Sequence, residues 1–199
     1  VKYNEKICIH PTIASRPGMS RGMRLAERAA VAYAALFVVA LSWRAYRGYE
    51  VFPVGEPGRS LLLGTLSAAG TVGAALLCYR FVPVFRSLAD ELAPGLIDGV
   101  KLRGLIATAL FSGVGEEAFF RGALQPEVGI VWASLIFGLM HLGPGWRFLP
   151  WALWASLAGF VFGWLYLATG GLLAPMVAHA LHNGVMLSLW KLERTRWNR

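Results

Sequence analysis

Three ionisable side chains, Glu116, Glu117 and Arg121, stand in the middle of an apolar run from Leu105 to Leu124 that is long enough to cross a bilayer. A charged residue at bilayer depth costs at least about 2.5–3.5 kcal/mol on the gentlest scale, so three within six positions require partners, a hydrated cavity or a catalytic purpose. Other segments must therefore bring polar groups to the same depth. The composition agrees with a membrane setting: of 199 residues, 56% are hydrophobic and 15% charged, with a mean hydropathy of +0.53. An average soluble domain is about a quarter charged. The net charge of +8 does not point to nucleic acid, because the basic residues lie between and outside apolar segments and form no stripe on a polar face.

Taken in order, the chain reads as an all-α, polytopic membrane protein of about six transmembrane helices. Residues 1–24 are polar and basic, without the apolar core and cleavage site of a secretory signal, and are expected to be a cytoplasmic tail. Two accessory spans follow, Leu25–Trp43 and Ser60–Tyr79, because about 20 apolar residues at 1.5 Å each cross the hydrocarbon core. Arg80–Lys101 contains prolines and acids but keeps Phe81, Val84, Phe85, Leu88 and Leu92 at roughly helical spacing, so an amphipathic helix at the interface is expected. Residues 25–101 thus form an accessory region.

A four-helix catalytic core is expected over 102–190, with spans Leu102–Leu124, Val128–His141, Phe148–Ala168 and Leu172–Trp190. Gln125 and Pro126 are expected to end the first of these, and Gly143-Pro144-Gly145 to turn after the second. A basic cytoplasmic tail, 191–199, closes the chain. With six spans, fifteen Lys and Arg fall on the side of the two tails and of the second and fourth connections, counting Arg28 and Arg103 there, against three on the other side. That bias predicts both termini in the cytoplasm. Cys8 and Cys78 form neither a metal spacing nor a disulfide framework.

Within the core, Glu117 and Arg121 are i and i+4 and share a helix face, whereas Glu116 points elsewhere. The pairing expected is Glu117 with Arg121, because a buried guanidinium without a carboxylate is very costly. Glu116 is then free to accept a proton from water. His179 and Asn183, again i and i+4, present an imidazole and an amide that could donate to a developing oxyanion. Counting 1.5 Å per residue puts Glu116 about 16 Å in from the cytoplasmic end and His179 about 10 Å below the opposite surface, so that the two can meet near the midplane, and leaves His141 in the cytoplasmic half, reaching toward the centre.

Three motifs now stand in one order on successive spans: EExxxR at Glu116–Arg121, FxxxH at Phe137–His141 and HxxxN at His179–Asn183. Together they resemble the CPBP family, named for CAAX prenyl proteases and bacteriocin-processing enzymes and also called the Abi family. The resemblance covers about Leu102 to Trp190. It implies a glutamate-type intramembrane endopeptidase, in which Glu116 activates the attacking water with help from His141, while His179 and Asn183 stabilise the oxyanion. Glu117 and Arg121 match supporting positions, and His182 matches none. The family's branches cleave CAAX tails, process or resist bacteriocins, or resemble myxosortase-like sorting proteases. The chain's richness in Ala, Gly, Arg and Trp suits a GC-rich bacterium, and so a bacterial inner-membrane member.

On this reading the partners are the lipid bilayer and a protein or peptide substrate with a C-terminal, membrane-proximal segment, with no cofactor. Two other chemistries use the same residues. Glu116, His141 and His179 would make a His₂Glu zinc set with an open position, although no HExxH helix is present. Alternatively the buried acids serve a transporter, or an immunity or scaffold protein, without catalysis.

Overall fold

The computed structural model describes residues 21–143 and 145–197, with side-chain surroundings over 27–143 and 145–193. The expected tail up to residue 20, Cys8, Pro144 and the last two residues lie outside the described residues. Seven α-helices follow in order: α1 Arg21–Tyr46, α2 Pro57–Phe81, α3 Pro83–Ile97, α4 Leu102–Glu117, α5 Gln125–Met140, α6 Leu149–Thr169 and α7 Leu173–Trp197. A π-helical segment, Ala118–Leu124, joins α4 to α5 without interruption. Helix α1 begins four residues before the end of the expected tail, and α7 carries the basic C-terminal stretch as helix to Trp197.

Among the described residues, four segments are long and apolar enough to cross a membrane: Glu27–Tyr46, Pro57–Phe81, Leu102–Met140 and Trp146–Thr169. The chain is an integral membrane protein. Helix α7, which carries His179, His182 and Asn183 within its membrane-length stretch, falls outside that set.

Inter-helix contacts fix the helix directions. Tyr33 meets Gly115 and Arg44 meets Gly122, so α1 runs parallel to α4. Helix α7 runs antiparallel to α4, with Ala180 against Gly113, Asn183 bonded to Ser112 and Lys191 bonded to the Ile97 carbonyl. One end of the bundle therefore gathers the start of α1, helix α3, the start of α4 and the far end of α7. At the opposite end the α1–α2 and α6–α7 connections lie side by side, with Glu56 N–H donating to Thr169 O at 3.2 Å and Leu172 N–H to Pro53 O at 2.8 Å. Helix α3 buries Leu88, Ala89, Ala93 and Ile97 on one face, in accord with its amphipathic spacing.

The Leu102–Met140 segment departs from expectation. Gln125 and Pro126 do not end the helix. Proline has no N–H and its ring crowds the carbonyl four residues earlier, here Gly122. The chain answers by widening the preceding turns into the π-helical segment, in which Gln125 N–H reaches back to the Phe120 carbonyl. The Gly122 carbonyl accepts from the Arg44 guanidinium, which also donates through Nε to the Glu50 carbonyl at 2.6 Å. A buried arginine from α1 thus binds the backbone of the turn that precedes Pro126.

The reversal comes at Gly129, whose φ of 80° and ψ of 165° lie in a region essentially restricted to glycine. From there α5 folds back along the π-helical segment, with Phe137 on Phe120 (ring centroids 4.9 Å) and Gly138 against Ser156 of α6. Glu116 and His141 stand about equally far on either side of Gly129. His141 is therefore level with Glu116, which corrects the expectation that it must reach inward from the cytoplasmic half.

This geometry predicts that Gly129→Ala destabilises the protein by about 1–3 kcal/mol, the cost of holding a side chain in a glycine-only conformation. Gly70→Ala, in α2 with open space around it, should be neutral or slightly stabilising. Thermal unfolding in detergent micelles compares the two, and equal midpoints would contradict the placement of the reversal at Gly129.

Candidate active site

The polar groups of three helices meet around Glu116 and Glu117 at the end of α4. Because the two are adjacent, their side chains leave the helix about 100° apart, and their surroundings differ accordingly. Glu117 is wholly buried. Its Oε2 lies 3.1 Å from Arg121 Nε, and its Oε1 lies 2.7 Å from His179 Nδ1. The expected Glu117–Arg121 pair is thus present, but Glu117 also anchors His179, a contact that the helical spacing did not reveal. The separation of a structural Glu117 from the working residues is correspondingly less clean than the sequence suggested.

Arg121 is buried completely, with its charge compensated from several directions. Nη2 donates to the Gly159 carbonyl of α6 at 2.8 Å. The Phe137 ring covers the guanidinium at 4.6 Å, with Phe120 and Phe162 each 5.8 Å away. A weakly hydrated guanidinium suits such an aromatic enclosure. The same rings hold His179, which stacks on Phe162 (5.1 Å, 20°) and meets the edge of Phe137 (5.9 Å). Phe137 therefore does more than shape the cavity: it joins the cation, His179 and His141, whose ring lies 4.6 Å from its own.

Glu116 faces the other way, toward His141. Its Oε2 is buried without a hydrogen-bond partner and stands 4.0 Å from His141 Nε2. That distance is too long for a direct hydrogen bond. His141 Nδ1 lies 2.8 Å from the Phe137 carbonyl. Since a carbonyl only accepts, Nδ1 carries a proton, and Nε2 is the nitrogen turned toward Glu116.

Asn183 Nδ2 donates to Ser112 Oγ at 2.9 Å, and Ser112 Oγ donates to the Ala109 carbonyl at 3.1 Å. One Nδ2 hydrogen remains uncommitted to that bond. Close approach of α4 and α7 makes these contacts possible: a Cβ on Gly113 would meet Ala180 N at 2.8 Å. Ser112 was not singled out in the sequence, although it sits four residues before Glu116 and so on nearly the same face. His182, without an assigned role, bonds through Nδ1 to Thr71 Oγ1 of α2 at 3.1 Å, beside the Trp154 ring.

His141, His179, Asn183 and Ser112 all line a cavity of about 340 Å³. Its wall extends from these polar groups to α3 (Phe85, Leu92) and the aromatic start of α6 (Trp151, Trp154). The lining is mainly apolar with a few convergent polar groups, the usual make-up of a substrate site. Among the described residues, no group of three or more His, Cys, Asp or Glu side chains is arranged to hold a metal ion. The sequence-level His₂Glu set is not drawn together as ligands, since His179 turns Nδ1 to Glu117 and Glu116 stands off His141.

Residues 99–185 match the family of Rce1-like type II CAAX prenyl endopeptidases. That stretch holds α4, the π-helical segment, α5, α6 and α7 as far as Asn183 and Val185, and excludes α1 and α2. The chain is also similar to YpbD of Bacillus subtilis (strain 168), described as uncharacterized, with 35% identity over 95 residues, 46% of this chain and 48% of YpbD. The chain thus spans about half the length of that curated relative. No solved structure matches.

The burial around Arg121 predicts that Arg121→Ala lowers the yield of folded protein far more than Asn183→Ala. Leaving the Glu117 carboxylate buried without its cation costs about 3–5 kcal/mol, whereas loss of the Asn183–Ser112 bond costs about 1–3 kcal/mol. Monodisperse recovery after detergent extraction and size-exclusion chromatography measures the difference, and equal recovery would contradict the arrangement.

Proposed function

Because residues 99–185 form a domain of the Rce1-like family of type II CAAX prenyl endopeptidases, we propose that this membrane protein is a protease that hydrolyses a peptide bond within the bilayer by glutamate-activated water. The observation that carries the reading is the unpartnered, buried Glu116 Oε2 facing His141 Nε2 across 4.0 Å. A water between two acceptors so spaced donates one hydrogen to each and turns its lone pairs to the cavity.

In the proposed reaction, Glu116 takes a proton from this water as the oxygen attacks the scissile carbonyl carbon. The new oxyanion is received by the uncommitted Nδ2 hydrogen of Asn183 and by Nε2–H of His179. His179 Nδ1 lies against Glu117, which leaves Nε2 as the ring nitrogen to face the oxyanion. When the tetrahedral intermediate collapses, the C–N bond breaks and Glu116 returns its proton to the leaving amine. Preorganised donors around an oxyanion are among the largest single contributions to catalysis.

The topology that suits this reading has six crossings, with α5 folded back as the fourth and both termini in the cytoplasm, as the distribution of Lys and Arg favours. The cavity then opens toward the cytoplasmic end beneath α3. The substrate is a protein or peptide cut near its C-terminus or membrane anchor, in a bacterial inner membrane, in the manner of a CAAX or sorting protease. Bacteriocin processing belongs to the same class of reaction.

Two outcomes test this function. Glu116→Gln keeps size and hydrogen-bonding capacity while removing the base, and should lower cleavage by about 10²-fold or more. Mass spectrometry of membrane-protein C-termini in cells with and without the protein identifies the substrate on which this is measured. Full activity in the variant, or no change in any C-terminus, would favour a non-catalytic immunity, scaffold or transport role. Second, purified protein should retain activity in chelator. Stoichiometric zinc, with activity lost on chelation and restored by the metal, would replace the glutamate mechanism with a zinc one.

A further inference from the structure

Helix α1 lies outside the matched residues 99–185, yet it reaches the reactive carboxylate. Tyr33, Phe37, Ala40 and Arg44 recur at three- and four-residue intervals and form one stripe of α1. Ala40 packs in a buried cluster with Ala118, and Phe37 packs against that cluster alongside Val114 and Phe119. At one end of the stripe Arg44 is fastened to the Gly122 carbonyl. At the other, the Tyr33 backbone lies so close to Gly115 that a Cβ there would meet Tyr33 O at 2.5 Å. The result is a fixed register between α1 and α4 that sets Tyr33 beside Gly115, the neighbour of Glu116, and on the wall of the same cavity as His141 and His179.

We propose that Tyr33 is a positioning residue for the reaction: its hydroxyl donates to one oxygen of Glu116, fixes the carboxylate rotamer, and leaves Oε2 aimed at the water shared with His141. The proposal rests on the reading of Glu116 as the base. A glutamate side chain has three rotatable bonds, and a carboxylate held at one oxygen only by water would sample several of them. Tyr33 removes that freedom with a donor that has no charge of its own, so the basicity of Glu116 is not neutralised as it would be by a lysine or arginine. Helix α1 is then part of the active site, and Arg44, by setting the axial position of α1, contributes to the placement of Tyr33 from three turns away.

The test has two arms on the full chain in lipid nanodiscs. In the first, which needs no substrate, the infrared phenolic C–O band of Tyr33 is isolated by subtracting the Tyr33→Phe spectrum, once with Glu116 and once with Glu116→Gln. The band should shift when the charged acceptor is replaced by an amide, and an unmoved band overturns the proposal whether or not the protein cleaves. In the second, Tyr33→Phe should lower kcat by about tenfold, the size of one hydrogen bond to a charged group, with KM within about twofold. An unchanged kcat, or a loss of kcat accompanied by an equal loss of thermal stability, overturns it as well. A shifted band with no cleavage by the wild-type chain would overturn the protease reading alone.

Discussion

A guanidinium buried to zero exposure must be compensated on every side, and the compensation of Arg121 holds the core of this protein together. Its partners come from four elements: Glu117 from α4, the Gly159 carbonyl from α6, and the faces of Phe120, Phe137 and Phe162 from the π-helical segment, α5 and α6. Through Glu117 the cluster extends to His179 of α7. Between helices in lipid there is little hydrophobic drive, since the tails are as apolar as leucine, so close packing and polar contacts select the arrangement. One buried charge, satisfied only when α4, α5, α6 and α7 are all in place, is therefore an effective selector of a single packing.

The π-helical segment belongs to the same constraint. Pro126 would leave the Gly122 carbonyl unpaired at membrane depth, where each such group costs several kcal/mol. Arg44 pairs it, and Tyr166 stands 3.4 Å from the same nitrogen. Helix α1, which carries no part of the three motifs, is thereby bound to the core by a side-chain hydrogen bond to a backbone carbonyl. A widened turn next to the candidate site, held by a side chain from elsewhere, follows the pattern in which π-bulges recur at functional sites.

Relationships within one helix were legible in the sequence, and relationships between helices mostly were not. The i,i+4 spacing of Glu117 and Arg121 was enough to expect their contact, and the EExxxR, FxxxH and HxxxN motifs were enough to expect convergence of Glu116, His141, His179 and Asn183. The turn was misplaced because Pro126 is a strong breaker on local grounds, whereas the widened helix that tolerates it depends on Arg44, 82 positions away. The level of His141 followed from that error, since it depends on where the chain reverses. The bond from His179 to Glu117, rather than to Glu116, depends on the rotation of α7 against α4. That rotation is set by the contact of Ala180 with Gly113, which no periodicity encodes.

The two adjacent glutamates show how one helix can place consecutive acids in two different surroundings. A step of about 100° per residue turns Glu117 into the aromatic and cationic interior and Glu116 toward His141. Glu117 has a cation 3.1 Å from Oε2 and an imidazole 2.7 Å from Oε1, so its orientation is set by groups on two elements. Glu116 shares that rigid backbone but keeps an oxygen with no partner inside the protein. An uncompensated acceptor at this depth carries a cost that packing alone would have removed, because an apolar side chain would fit the same wall. The cost is intelligible if the vacant oxygen is where a water is bound and deprotonated. In that arrangement the ion-paired Glu117 supplies the fixed geometry beside which Glu116 is held.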